Sequence, residues 1–395
     1  MRSVARQVHQ GETRSRNAGI DLARSLAMLG MLIEHELQYP TIQPKSAVWA
    51  VYGRSAPLFV LLAGVGVSLA TRAPRRPLDR AMIVARAPLL LLLGMTLSTH
   101  VDGIILQSFA LFFLVGALSI RLPRRVLATL GVVFLAGGPL FITELRRAGR
   151  LGATFGFRHD VSFGALQHPV TLLNGLALQY YPAAIWLGFF FLGMVLGRAD
   201  VASLALGRRL FAWATAAAVV AFTVGWAGAR MFGPAREAFS LAPPPPYAWS
   251  GNWTTYGFSN AVGWAISSAA VALAVTGACI WIAGLLQRSR VISPLVCLGA
   301  VSLTFYIVHG LYLDTLWHSV QPHLTTPVSI FVAAVVFWLL FALVAQRWLA
   351  YFARGPIEML LHFGARVLTA PLRVEYMRAR SPFRPSSHAA GRSLR

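Results

Sequence analysis

Apolar runs separated by short polar or basic breaks recur along almost the whole chain. Ten of them have about the length of a membrane-spanning helix, roughly 20 residues, at approximately 19–37, 55–71, 82–99, 104–120, 126–143, 181–197, 210–231, 260–286, 293–315 and 328–349. The pattern predicts an all-α, polytopic integral membrane protein with about ten transmembrane helices over 19–352. A basic tail precedes them over 1–18, and an interfacial segment with a second basic tail follows over 353–395. No internal repeat and no Gly-rich nucleotide loop breaks the pattern.

Composition agrees: 56% of the 395 residues are hydrophobic and 12% are charged, far from the balance of a soluble domain. A net charge of +22 would point to nucleic acid on a soluble chain. Here the arginines gather in clusters between apolar runs, so they read as topology marks and no nucleic-acid partner is expected. Arg72, Arg75, Arg76 and Arg80 form one cluster, followed by Arg121, Arg124 and Arg125, by Arg198, Arg208 and Arg209, and by Arg288 and Arg290. All fall on one side if the N-terminus is cytoplasmic, which predicts both termini inside. The first apolar run lacks a small-x-small cleavage site and is expected to remain in the protein.

Two outer loops are long, 144–180 and 232–259, and the second contains APPPPYAWSGNWTTYGF. The prolines favour a stiff extended spacer. Trp249, Trp253 and Tyr256 read as interfacial anchors or as sugar-stacking platforms, with anchoring favoured by the general enrichment of Trp and Tyr at membrane interfaces. Near the C-terminus, ARGPIEMLLHFGARVL is a short amphipathic stretch after a Gly-Pro break, expected to lie along the inner interface. Cys279 and Cys297 fall in predicted spans without further ligands, so they read as packing residues and no metal site is expected.

Ionisable groups inside a bilayer are costly and by default functional or tightly paired. The first run, GIDLARSLAMLGMLIEHELQYP, carries Asp21, Arg24, Glu34 and His35. Arg24 and His35 are eleven residues apart, about 20° past three full turns and about 16 Å along the axis. They share a face, with Arg24 toward the inner end and His35 in the outer third. A guanidinium can hold phosphate bidentately, and an imidazole serves as general base or acyl acceptor. A ligand with phosphate at one end and a reactive group about 15 Å away, such as coenzyme A with its pantetheine arm, has that shape. The plain alternative pairs Arg24 with Asp21 at i, i+3 and leaves His35 bonded to a neighbouring helix.

The ninth run, VSLTFYIVHGLYLD, places Ser302, Phe305, Tyr306, His309, Tyr312 and Leu313 on one helical stripe. Taken as a straight helix, it lifts His309 about 21 Å above Leu295, close to the height of His35 above Ile20. Two histidines at one level predict one shared outer-half site, with Tyr306 beside it for substrate. The alternative is a core histidine bonded to Tyr306. Arg86, near the inner start of its helix, joins Arg24 as a candidate for donor phosphate, although snorkelling accounts for it equally. Arg54 and Gln107, polar groups at helix starts, are candidates for acceptor binding, and Asp314 lies too near the outer surface to be diagnostic.

Several segments in order, GIDLARSLAMLGMLIEH, PLFVLLAGVGVSLA, ILQSFALFFLVG, YYPAAIWLGFFFLGMVLGR, SLTFYIVHGLY and RGPIEMLL, resemble the bacterial heparan-alpha-glucosaminide N-acetyltransferase-like membrane family, over nearly all of 19–362. The arginine, ten residues and histidine of the first span match Arg24 and His35. The resemblance implies a multi-pass plasma-membrane enzyme moving an acyl group, acetyl above all, from cytoplasmic acyl-CoA to a hydroxyl or amine of an outer glycan. His35 would be central to it. Membrane lipid is the other expected partner, and a homo-oligomer is compatible with the pattern. GRSAPLF and Leu106-Gln107-Ser108 depart from the family's usual acidic residue and LQR. A transporter using the same charges is the competing reading, without the matched half-repeats such proteins often carry.

Overall fold

The computed structural model describes residues 17–37, 52–72, 76–101, 103–148, 161, 163–178, 181–232, 249–286, 289–324 and 326–372. Among these there are fourteen α-helices and no strand. The protein is an all-α polytopic membrane protein. In chain order the helices are α1 (Ala18–Leu37), α2 (Ser55–Ala70), α3 (Arg76–Leu97), α4 (Leu106–Ser119), α5 (Arg124–Arg147), α6 (Pro169–Leu178) and α7 (Ala183–Leu196). They continue with α8 (Leu204–Phe232), α9 (Val262–Leu285), α10 (Ser293–Ala300), α11 (Ser302–Thr315), α12 (Trp317–Val320), α13 (Pro327–Leu349) and α14 (Pro356–Leu368).

All ten apolar runs are helical, but they differ as spans. Among the described residues five helices, within α3, α5, α8, α9 and α13, are long and apolar enough to cross a bilayer singly, and seven spans result if the bent pairs α6–α7 and α10–α11 each count as one. The helix α6 lies inside the stretch expected to be a loop, 144–180. Residues 149–160, the Arg158, His159 and Asp160 of that loop and the prolines of 232–248 lie outside the described residues.

The first helix fails as an independent span because of its charges, yet it is the hub of the bundle. It packs against α2, α9, α10, α11 and α13, which buries Asp21, Ser25, Glu34 and Glu36 away from lipid. This is how a helix carrying intramembrane carboxylates is tolerated. The outer helices show the converse: Trp213, Val219 and Val224 of α8, and Leu340 and Val344 of α13, are exposed apolar side chains, suited to lipid contact. Small residues bring backbones together where α2 meets α7. A Cβ at Gly64 would run into the Phe190 carbonyl oxygen, and one at Gly193 into that of Leu61, the close approach typical of membrane helix pairs.

The amphipathic C-terminal stretch is α14, capped by Gly355 with Pro356 at its first position. Its Ala365 packs against Met82 and Ala85 of α3. Of the cysteines, Cys279 is buried and Cys297 partly so, and neither is in a disulfide. Among the described residues no group of His, Cys, Asp or Glu has a metal-binding arrangement.

Candidate active site

The expected ninth span is not straight: α10 and α11 meet at an angle of 83°. The height calculated for His309 along one axis therefore does not hold. His309 sits seven residues into α11, about 10 Å from that helix's start, and it reaches α1 by a different route. His35 Nδ1 and His309 Nε2 lie 3.2 Å apart, with ring planes only 9° from parallel and centroids 5.3 Å apart. The imidazoles meet edge to edge in a shared hydrogen bond, and His309 is 1% exposed.

Aromatic rings fix the His309 side. Phe305 lies nearly parallel to it at 5.7 Å, and Tyr306 stands against it at 5.2 Å and 74°. The Tyr306 hydroxyl accepts from the Ile105 amide at 3.3 Å, so this tyrosine joins α11 to the start of α4. His309 Nδ1 turns back toward the carbonyls of Phe305 and Tyr306 without closing a well-formed bond to either. With the His309 proton on Nδ1, the Nε2 lone pair faces His35. His35 Nδ1–H then donates to it, and His35 Nε2 keeps a lone pair for chemistry.

Glu34, next to His35, is buried and caps another helix. Its Oε1 accepts from the amides of Arg54 at 3.3 Å and Ser55 at 3.4 Å, at the start of α2, where Arg54 offers no capping side chain of its own. Glu36 is fully buried and faces the Tyr312 hydroxyl, one helical turn along α11 from His309. The helices α1 and α11 thus meet at two successive levels.

The other expected site residues are placed differently. Arg24 Nη1 donates to Asp21 Oδ1 at 2.9 Å, the side chain remaining about a quarter exposed, so it makes the i, i+3 pair. Arg86 is partly buried near the like charge of Arg354. Arg54 is enclosed: its guanidinium donates to the Trp264 carbonyl at 3.2 Å, to Ser267 Oγ at 3.1 Å, to Ser268 Oγ and to the Thr255 carbonyl, and it sits 5.0 Å from the Phe222 ring. Gln107 holds Val161 in a two-way amide pair, accepting from its N–H at 2.7 Å and donating to its carbonyl at 3.1 Å. Asp314 pairs with His100 at 3.1 Å, away from His309.

A family model described as heparan-alpha-glucosaminide N-acetyltransferase, catalytic, matches residues 16–230, more than half the chain. The chain belongs to this family. A second model, described as a protein of unknown function, DUF418, matches residues 238–367. No individual curated protein matches the chain. Membership makes it a membrane acetyltransferase-like protein. The two matched regions meet at the histidines, since His35 falls in the N-acetyltransferase region and His309 in the region of unknown function.

Proposed function

We propose that this protein is an integral membrane acyltransferase. It takes an acyl group, acetyl foremost, from acyl-CoA on the cytoplasmic side and delivers it to a hydroxyl or amine of a glycan on the outer side of the bacterial plasma membrane. The observation that carries the reading is that His35, on the central, charge-bearing helix of a member of an N-acetyltransferase family, faces His309 of α11. A partly buried imidazole whose one nitrogen is held by a second imidazole and whose other nitrogen is available is suited to moving a proton or an acyl group.

In direct transfer the acceptor oxygen or nitrogen attacks the thioester carbonyl. Its proton passes to His35 Nε2, the C–S bond breaks, and the thiolate takes a proton as coenzyme A leaves. In the two-step alternative, His35 Nε2 itself attacks and the thiolate departs. His35 Nδ1 then passes its proton to His309 Nε2, leaving a neutral acyl-imidazole that the acceptor opens. His309 orients His35 in both routes and takes its proton in the second.

Arg24 and Arg86 are proposed for the phosphate end of the donor, joined by Arg354, whose like charge beside Arg86 an anion would relieve. Tyr306 remains the candidate on the acceptor side. The guanidinium of Arg54 and the amide of Gln107 are engaged by the protein itself, which supports a role in shaping the acceptor face rather than touching the acceptor.

The test is thiol release from acetyl-CoA by the purified protein, before and after a glucosaminide is added. Release that depends on His35 supports the reading, and slow release without acceptor supports the acyl-histidine route. Movement of a solute across vesicles with no thiol release overturns it in favour of transport.

A further inference from the structure

The bend between α10 and α11 leaves the first amides of α11 without partners inside the helix, as at any helix start. Val301, at the capping position, has no side chain to satisfy them. A carboxylate from a distant helix does so: Glu358 Oε1 accepts from the amides of Leu303 at 2.8 Å and Thr304 at 3.2 Å. Its Oε2 accepts from Thr304 Oγ1 at 2.6 Å. The arrangement is reciprocal, because Thr304 Oγ1 accepts from the Ile357 amide at 3.2 Å, in the first turn of α14. Each helix caps the other.

The sequence RGPIE fits this node residue by residue. A Cβ at Gly355 would strike Glu358 Oε2 and lie 2.7 Å from Thr304 Oγ1 and 2.9 Å from Val301 Cβ, so only glycine permits the approach. Pro356 occupies the first helical position, where no amide donor is needed. Arg354, four residues before the carboxylate, lies close to Arg86 of α3.

We propose that Glu358 is a positioning residue of acyl transfer, which sets His309 Nε2 against His35 Nδ1 by anchoring the start of α11. The proposal rests on the acyltransferase reading above. It also gives the region of unknown function a task, that of supplying the second histidine and the clamp that holds its helix. The tolerance is small. The imidazoles stand 3.2 Å apart, and a separation of about 3.6 Å is no longer a hydrogen bond. A slip of α11 by a few tenths of an ångström therefore uncouples them. Losing the charged cap also removes the acceptor for the two amides that define where α11 begins.

The test uses the full chain in detergent with Glu358→Gln, Glu358→Asp and Thr304→Val, and two readouts. The first is kcat and KM for acetyl-CoA by thiol release. The second, independent of turnover, is the ¹⁵N-histidine NMR signal of the His35–His309 hydrogen bond, identified by its loss in His309→Gln. Glu358→Gln keeps one acceptor oxygen but loses the charge and the second acceptor. It should lower kcat about tenfold, the scale of one charged hydrogen bond, with KM within about twofold, and should shift or broaden the histidine signal. Thr304→Val should do the same more mildly, and Glu358→Asp should recover part of the loss. Unchanged kcat and signal in folded Glu358→Gln or Thr304→Val overturns the proposal, as does a fall in kcat with the signal intact. If the wild type releases no thiol, the acyltransferase reading falls instead, and the NMR readout still decides whether Glu358 governs the pair.

Discussion

Gly299→Ala tests how tightly the histidine pair depends on helix packing. Gly299 lies in α10, against the backbone of α1. A Cβ there would lie 2.5 Å from the Asp21 carbonyl carbon and 3.0 Å from its Cα, closer still to the carbonyl oxygen. Carbon atoms settle about 3.5–4.0 Å apart, so α10 would have to withdraw from α1 by about 1 Å. Backbone cannot fold away as a flexible side chain can. By helix propensity alone, alanine in place of glycine is favourable by up to about 1 kcal/mol, whereas overpacking a tight contact costs about 1–3 kcal/mol. The clash wins, and the motion carries α11 with it. A retreat of even half that size breaks the 3.2 Å bond between His35 and His309. The expected result is a melting midpoint lower by a few degrees and acyl transfer reduced at least about tenfold, read by thermal shift and by thiol release. Gly137→Ala is the control, because nothing lies within 4 Å of a Cβ there, and it should be neutral or slightly stabilising. If Gly299→Ala melted and turned over like the control, the backbone contact and the coupling built on it would both be refuted.

Two further substitutions separate chemistry from scaffolding. His35→Ala should leave a folded, membrane-inserted protein with transfer reduced at least about a hundredfold, the scale of a lost acid–base group. His309→Ala should be damaging but less so, and the reverse order would exchange their roles. Arg54→Ala should act on folding, because it removes the charged donor shared by the Thr255 carbonyl, Ser268 Oγ and the Ser267–Trp264 pair; a buried acceptor left without a donor costs about 1–3 kcal/mol. The measurement is the yield and melting of monodisperse protein. A well-folded Arg54→Ala whose only defect is a raised acceptor KM would return Arg54 to the acceptor site.

The bundle and its central pair were legible because intramembrane charges stand out against apolar sequence, and few arrangements tolerate them. The argument that joined His35 to His309 nevertheless used a straight ninth helix. The bend is hidden because SPLVCLGAVSLTF has neither a proline nor a charge at the break. What caps the start of the second helix is a carboxylate more than fifty residues later, Glu358. RGPIEMLL was visible as a motif, but its partner was not. The same limit applies to Arg54 and Gln107. Sequence shows that a polar group in an apolar setting needs a partner, yet those partners are largely backbone groups of remote segments, Thr255, Trp264 and Val161. The helix α6 was missed for a local reason: PVTLLNGLAL is apolar but only ten residues long, about half the length of a span.

Arg24 is where the two readings of the first helix still compete, and its partner Asp21 offers the means to decide. Moving the charge one place along the helix is no control, because Ala23 is fully buried and an arginine there would be driven into the core. Asp21→Asn is gentler, since it keeps the shape and removes the charge that holds Nη1 at 2.9 Å. If Arg24 serves only the ion pair, Asp21→Asn and Arg24→Ala lose the same interaction. Their effects should then match and stay small, about 0–1 kcal/mol for a partly exposed pair. If Arg24 holds the phosphate end of the donor, the two diverge. Arg24→Ala gives up a charged hydrogen bond to the ligand, about 1.5–3 kcal/mol, which is about a ten- to hundredfold weaker Kd for acetyl-CoA. Asp21→Asn frees the guanidinium from a competing anion and should leave donor affinity unchanged or improved. Titration of each variant with acetyl-CoA in detergent, with His35→Ala as background to prevent turnover, reads the difference directly. Equal and slight losses in both variants would remove Arg24 from the donor site and leave it as the partner of Asp21.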